Sequence, residues 1–248
     1  AAITSTSGDV GLIAGGSLDQ TSDGDISTGG DVLVSAGSAW TMADGTEISA
    51  TGNVSGEALS GDLTLGLITS AGNVALTASN SILDANSGSL NVTATNLSLV
   101  ATGGLIGSDD SLNGNPGLND NAIDIAVSTL AANAESGIYI SEADGLTITT
   151  VAAVTVDIES VERVNFNSTT ADVSENQTSS SLEDLSTDTD GPIKLVSQTG
   201  SITIEGGAGG PGIAANGSGD VLLEARGAGG DVITNADVVS GTGNITLD

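Results

Sequence analysis

No cysteine and no histidine occur anywhere in this 248-residue chain. Disulfides and thiolate metal sites are therefore excluded, along with Ser-His-Asp and Cys-His nucleophiles and the usual zinc ligand sets. Basic residues are almost as scarce. Arg163, Lys194 and Arg226 stand against 32 acidic residues, a net charge of −29. Such a surface repels nucleic-acid phosphates and anionic membranes alike. The partners it leaves open are divalent cations, cationic polymers or a medium salty enough to screen it; the other reading is that the charge keeps a β-rich rod soluble and stops edge-to-edge aggregation. Aromatics number three, Trp40, Tyr139 and Phe166. A globular core of this size would use many more, because each buries a large area. No apolar run approaches the ~18 residues of a membrane span, and no signal-peptide pattern is present.

What the chain does have is a phrase that returns: glycine, then Asp, Asn or Ser, then alternating apolar residues. It reads GDVGLIA at 8–14, GDVLVSA at 30–36, GNVALTA at 72–78 and GSLNVTA at 88–94. It comes back as GSITI at 200–204, GDVLLEA at 219–225 and GNITL at 243–247. A turn residue followed by a short strand, at roughly 20-residue spacing, is the mark of a β-solenoid. Gly8, Gly30 and Gly52 are 22 residues apart. Secondary phrases between them (GDIS at 24–27, DGTEISA at 44–50, GDLTL at 61–65) give two or three short strands per coil. Period-2 alternation turns Val, Leu and Ile inward and Thr, Ser, Asp and Asn outward. The expected fold is all-β: a right-handed parallel β-helix with about 20 residues per coil. About 12 coils at ~4.8 Å would make a rod on the order of 55–60 Å long. The 36 glycines are expected to supply positive-φ corners.

The repeat divides the chain into a solenoid over 1–107, decorated coils over 108–190 and a solenoid over 191–248 that continues past the chain end. Within the middle, 108–122 (rich in Asn, Asp and Gly, with Pro116) and 167–190 (Ser, Thr and acid) are expected to be irregular. The first reads as a loop bulging from a corner. The second reads as an insertion, flexible or pinned by Val173, Leu182 and Leu185. Strand phrases are expected at 138–140, 146–148 and 154–158 between them.

The phrases at 72–78, 219–225 and 243–247 resemble the degenerate repeats of filamentous-haemagglutinin-type bacterial adhesins and other giant surface proteins. The resemblance covers about two thirds of the chain. It implies a right-handed parallel β-helix and an extracellular, cell-surface fibre, adhesin or scaffold. It carries no binding residue across, because the repeat encodes stacking.

Catalysis is not expected. The glycine-rich stretch 206–212 lacks the Gly-Lys-Ser/Thr ending of a phosphate loop. Paired carboxylates such as Asp109 with Asp110, or Asp188 with Asp190, could in principle flank a glycosidic bond. Sugar grooves, however, draw on aromatics and bases that are scarce here. Calcium suits the chain better as a ligand, since it takes six to eight oxygens from carboxylates, amides and carbonyls. Its candidates are Asp109, Asp110, Asn113, Asn115 and Asp120 in one loop, and Asp188 and Asp190 in another, although neither completes an EF-hand. The alternative for all seven is a solvated polar turn. No cofactor is required. Asn53, Asn91, Asn96, Asn167, Asn176, Asn216 and Asn244 each begin an Asn-x-Ser/Thr triplet, the acceptor pattern for a glycan.

These observations point to a non-catalytic segment of an extracellular bacterial fibre or adhesin that assembles by coil stacking. Its partner would be itself, end to end, or neighbouring coils of a longer chain; divalent cations and surface polysaccharide are the others. Read after GNITLD at 243–248, the opening AAITSTSGDV continues the repeat, so chain end is expected to meet chain start. The other reading is a carbohydrate-binding or polysaccharide-cleaving β-helix, favoured if Trp40, Tyr139 and several carboxylates share a face.

Overall fold

A computed structural model describes residues 1–109, 121–207 and 209–248, and no helix occurs among them. Strands mostly of three to six residues, with two longer ones at Val92–Ala101 and Ile123–Ala134, wind into one parallel 25-stranded sheet, and two further strands form a separate antiparallel hairpin. The molecule is an all-β parallel solenoid. Each coil crosses three faces. Down the second face the inward position reads Val10, Val32, Val54, Val74, Leu97, Leu130, Ile148, Ile204 and Thr234, each pairing in register with the next. That makes nine coils, about 43 Å at ~4.8 Å per coil, shorter than the twelve expected. The difference arises in part because residues 149–184 leave the rod between Ile148 and Leu185; most of the loop expected at 108–122 lies outside the described residues.

The interior consists of stacked like residues. On the first face the row is Ile3, Ile26, Ile48, Ile68, Val92 and Ile125. On the third it is Leu18, Trp40, Leu63, Ile82, Ile106, Ile138, Ile193, Val221 and Ile245. Where the second face turns toward the third the row shrinks to Ala14, Ala36, Ala58, Ala78, Ala101 and Ala134. β-branched residues fit a pleated wall, and only alanine fits where two walls converge. One large ring breaks the aliphatic pattern. Trp40 is fully buried, and its indole N–H donates to Gln20 Oε1 at 2.8 Å. Room for it comes from Gly56, in the next coil, where a Cβ would strike the Trp40 ring.

The recurring Gly-Asp/Asn dipeptide is a corner device. Asp9 Oδ1 accepts the Asp31 N–H at 2.8 Å, and Asp31 Oδ1 accepts the Asn53 N–H at 2.7 Å. Asn53 Oδ1 in turn accepts the Asn73 N–H at 3.0 Å, and Asn96 Nδ2 donates to Asn73 Oδ1 at 2.6 Å. A Cβ at Gly30 or Gly52 would occupy the place of the carboxylate arriving from the coil before. Neither glycine has positive φ. These two are therefore fixed by close approach between coils, not by the left-handed backbone expected.

The middle differs from expectation. The coil enters the second face at Leu146–Ile148 and resumes on it at Leu185–Thr187. Between them stands the hairpin Thr155–Val164 with Thr170–Thr178, so 154–158 is a strand but not a rung of the rod. Residues 167–190 are mostly structured, because Thr170–Thr178 has a hairpin partner and Leu185 is in the core. Alternating Val154, Val156 and Ile158 satisfy either strand type equally.

Candidate functional site

The hairpin's entering strand lies lengthwise on the outside of the second face. Asn53 Nδ2 in the third coil donates to the Thr155 carbonyl at 3.5 Å. Val156 and Ile158 pack on Leu33 of the second coil, and the Ile158 side chain lies over Gly11 of the first. The strap thus runs against the direction of coil progression and reaches the first coil. Its track is the outward row Gly11, Leu33, Ser55, Ala75, Ser98 and Ala131, in register from coil to coil. All but Gly11 are buried, although they point away from the interior. Small side chains let an extended strand lie close to the sheet. Leu33, between Val32 and Val34, breaks the inward-outward alternation; this was the sequence signal for a covered outer face, and composition alone did not expose it.

Of the calcium candidates, Asp110, Asn113, Asn115 and Asp120 lie outside the described residues. Asp188 Oδ1 accepts from Asn133 Nδ2 at 3.2 Å, and Asp190 Oδ1 from the Ser218 N–H at 2.8 Å. Both take part in corner bonding between coils. Among the described residues no three carboxylates gather as a metal would require.

Asp109 belongs to a different grouping. The chain's one tyrosine and one lysine, Tyr139 and Lys194, are cross-strand partners on the outer third face, and Leu222 and Thr246 continue their row. With Asp109, Asp220 and Asn244 they line an open groove of about 840 Å³. Burial, and then the Asp109 carboxylate, raise the Tyr139 hydroxyl above its ordinary pKa. Trp40 lies inside the rod and cannot join them.

Glu142 was not among the expected site residues. It continues the inward row of the first face after Ile125, where six coils carry Ile or Val, and is fully buried. Val127 N–H donates to its Oε2 at 3.3 Å and Asp144 N–H to its Oε1 at 3.2 Å. Burial dominates these bonds and pushes the carboxyl up to about 8, so it is mostly protonated at neutral pH.

The Asn-x-Ser/Thr triplets divide by location. Asn91 is fully buried, its Nδ2 donating to the Leu65 carbonyl at 3.0 Å and to Asp84 Oδ1 at 2.8 Å. A sugar there is incompatible with the folded rod. Asn53 and Asn96 belong to the corner ladder. Asn216 Nδ2 donates to the Asp188 carbonyl at 2.6 Å, and Asn244 Nδ2 to Asp220 Oδ1 at 3.1 Å. Asn167 and Asn176 stand exposed on the hairpin.

No protein-family model, curated protein or solved structure matches this chain.

Proposed function

We infer that this rod is a structural, non-catalytic segment of an extracellular fibre or adhesin, built to extend by stacking coil upon coil. The observation that carries the reading is the in-register parallel ladder of nine coils, whose inner rows are mostly of like aliphatic residues. Such an interior gives each coil the same surface above and below, so a further coil is the natural partner of either end. The acidic outer surface keeps rods apart side by side and leaves end-on contact favoured. The repeat resembles that of bacterial surface adhesins, which supports an extracellular setting. Divalent cations, calcium above all, would screen the carboxylates as fibres form.

Electron microscopy of concentrated protein, with and without a chelator, tests this. Filaments one rod wide support the reading, and their loss in chelator makes calcium part of the assembly. Single rods of about 43 Å under every condition would contradict it.

A second reading, carbohydrate binding, is favoured by the Tyr139–Lys194 groove. A tyrosine ring offers a sugar a stacking surface, and Lys194 with Asp220 offers hydrogen bonds. Binding of cellohexaose by the intact protein, weakened at least ten-fold in Tyr139→Ala, would support it. Equal binding by the two proteins would remove it.

A further inference from the structure

Seven asparagines carry the glycan-acceptor pattern, and the fold treats their side chains in two ways. Sugar transfer to such a triplet uses Nδ2 as the nucleophile, and the hydroxyl two residues on belongs to the pattern. In five of the seven, Nδ2 is engaged inside the rod. Asn53 donates to the Thr155 carbonyl, Asn91 to the Leu65 carbonyl and Asp84, and Asn96 to Asn73 Oδ1 at 2.6 Å. Asn216 donates to the Asp188 carbonyl, and Asn244 to Asp220 Oδ1. The hydroxyls that follow Asn53 and Asn96 are those of Ser55 and Ser98, both buried in the row that forms the track of the strap.

The two triplets of the hairpin are arranged otherwise. Asn167, Ser168 and Thr169 lie exposed in the turn between its strands. Thr169 Oγ1 donates to Asn167 Oδ1 at 2.7 Å, and the Thr169 N–H donates to the same atom at 3.1 Å. Asn165 Nδ2 donates to Thr169 Oγ1 at 3.2 Å, which turns the hydroxyl proton toward Asn167. Two backbone bonds hold the turn, Asn165 N–H to the Thr169 carbonyl at 2.8 Å and Ser168 N–H to the Asn165 carbonyl at 2.9 Å. On the returning strand Thr178 Oγ1 donates to Asn176 Oδ1 at 3.4 Å. Asn176 pairs with Asp157 and both are exposed, whereas Val156 beside them is buried against the rod. Among the described residues, no acceptor takes a hydrogen bond from Nδ2 of Asn167 or of Asn176.

We propose that Asn167 and Asn176 are glycosylation sites, and that the hairpin is the glycan-bearing element of the rod; this rests on the extracellular setting inferred above. The co-substrate is a sugar whose anomeric carbon is carried on a diphosphate. An amide nitrogen is a poor nucleophile, because its lone pair is delocalised into the carbonyl. A hydroxyl donating to Oδ1 acidifies the Nδ2 protons, so that a base of the transferase removes one as Nδ2 attacks. The bond from Nδ2 to the anomeric carbon forms and the bond from that carbon to the diphosphate oxygen breaks. The diphosphate leaves with the bonding pair, and the second Nδ2 proton stays on the product. Asn167, with the shorter hydroxyl contact and its place in the turn, is modified ahead of Asn176. Sugars at these two positions leave Val156 and Ile158 on Leu33 and leave the ladders between coils intact.

The scarcity of basic residues makes the test direct. Trypsin cuts after Arg163 and Lys194, so the peptide 164–194 holds both hairpin triplets and none of the other five. Mass spectrometry of the protein as its own cells make it is expected to find sugar on that peptide, at least ten-fold above the peptides holding the other five. Single hexoses indicate a nucleotide-carried donor and a preassembled block a lipid-carried one, and either supports the two sites. In a second arm the folded protein is given a soluble asparagine glucosyltransferase and UDP-glucose. Asn165→Ala leaves both triplets intact and is expected to slow modification of Asn167 about five-fold, the effect of one neutral hydrogen bond, with Asn176 unchanged. An equal rate at Asn167 would overturn the part given to the oriented hydroxyl. Sugar spread equally over the seven asparagines, or an unmodified peptide 164–194 in protein recovered from the cell surface, would overturn the proposal and leave the fibre reading intact. Protein that is unmodified and confined to the cell interior would overturn both.

Discussion

Two residues decide how the interior accepts exceptions to its aliphatic rule. Gly56 exists beside Trp40 because a Cβ there would enter the indole ring. Gly56→Val is therefore expected to destabilise the rod by about 1–3 kcal/mol through overpacking. Combining it with Trp40→Leu should recover part of the loss, and a double-mutant cycle from urea melts measures the coupling. Glu142 is the other exception. Its folded pKa, about 8, lies above the ordinary carboxylate range, so between roughly pH 4.5 and 8 the folded state holds a proton that the unfolded state has released. Stability attributable to this residue is intact below that window and falls as pH rises through it. Glu142→Gln should thus match wild type near pH 4 and exceed it in melting temperature at pH 8.5. An equal gain at both pH values would mean that burial does not control the carboxyl. Neither residue announced itself in the sequence. The Gly-Asp phrase did, but its reason lies between coils: Gly52 is set by the Asp31 carboxylate of the preceding coil, which no single repeat contains.

Among the elements, corner ladders and the strap carry distinct loads. Asp31→Ala removes the acceptor of the Asn53 N–H and is expected to cost about 1 kcal/mol. Gly52→Ala, which drives a Cβ into that carboxylate, should cost more. Denaturant midpoints order the two, and the reverse order would contradict the ladder. Ile158→Asp places a charge over Gly11 and Leu33 and should release the strap, seen as faster amide exchange at Leu33 with rung amides inside the rod unchanged. The strands of the rod were legible because alternation with Gly-Asx punctuation recurs every coil. The hairpin was not, since Val154, Val156 and Ile158 alternate as a rung would, and alternation does not distinguish a parallel partner from an antiparallel one. The seating of this hairpin on the rod depends on contacts about a hundred residues apart, such as Asn53 with Thr155.

At the scale of the whole molecule, charge and stacking oppose each other. A net charge of −29 makes every end-to-end contact repulsive at long range, so salt should promote assembly. Raising sodium chloride from 0.01 to 0.15 M is expected to lower the assembly concentration several-fold, and light scattering measures it. The architecture itself could be read from the repeat. The count of coils could not, because nothing in composition tells how many residues leave the rod. The most direct measurement is X-ray fibre diffraction from aligned, concentrated protein. Stacked rods should give a meridional reflection at ~4.8 Å from coil spacing, together with an axial repeat near 43 Å from nine coils per copy. A meridional reflection without that repeat, or no axial order at all, would contradict a fibre built of these rods end to end.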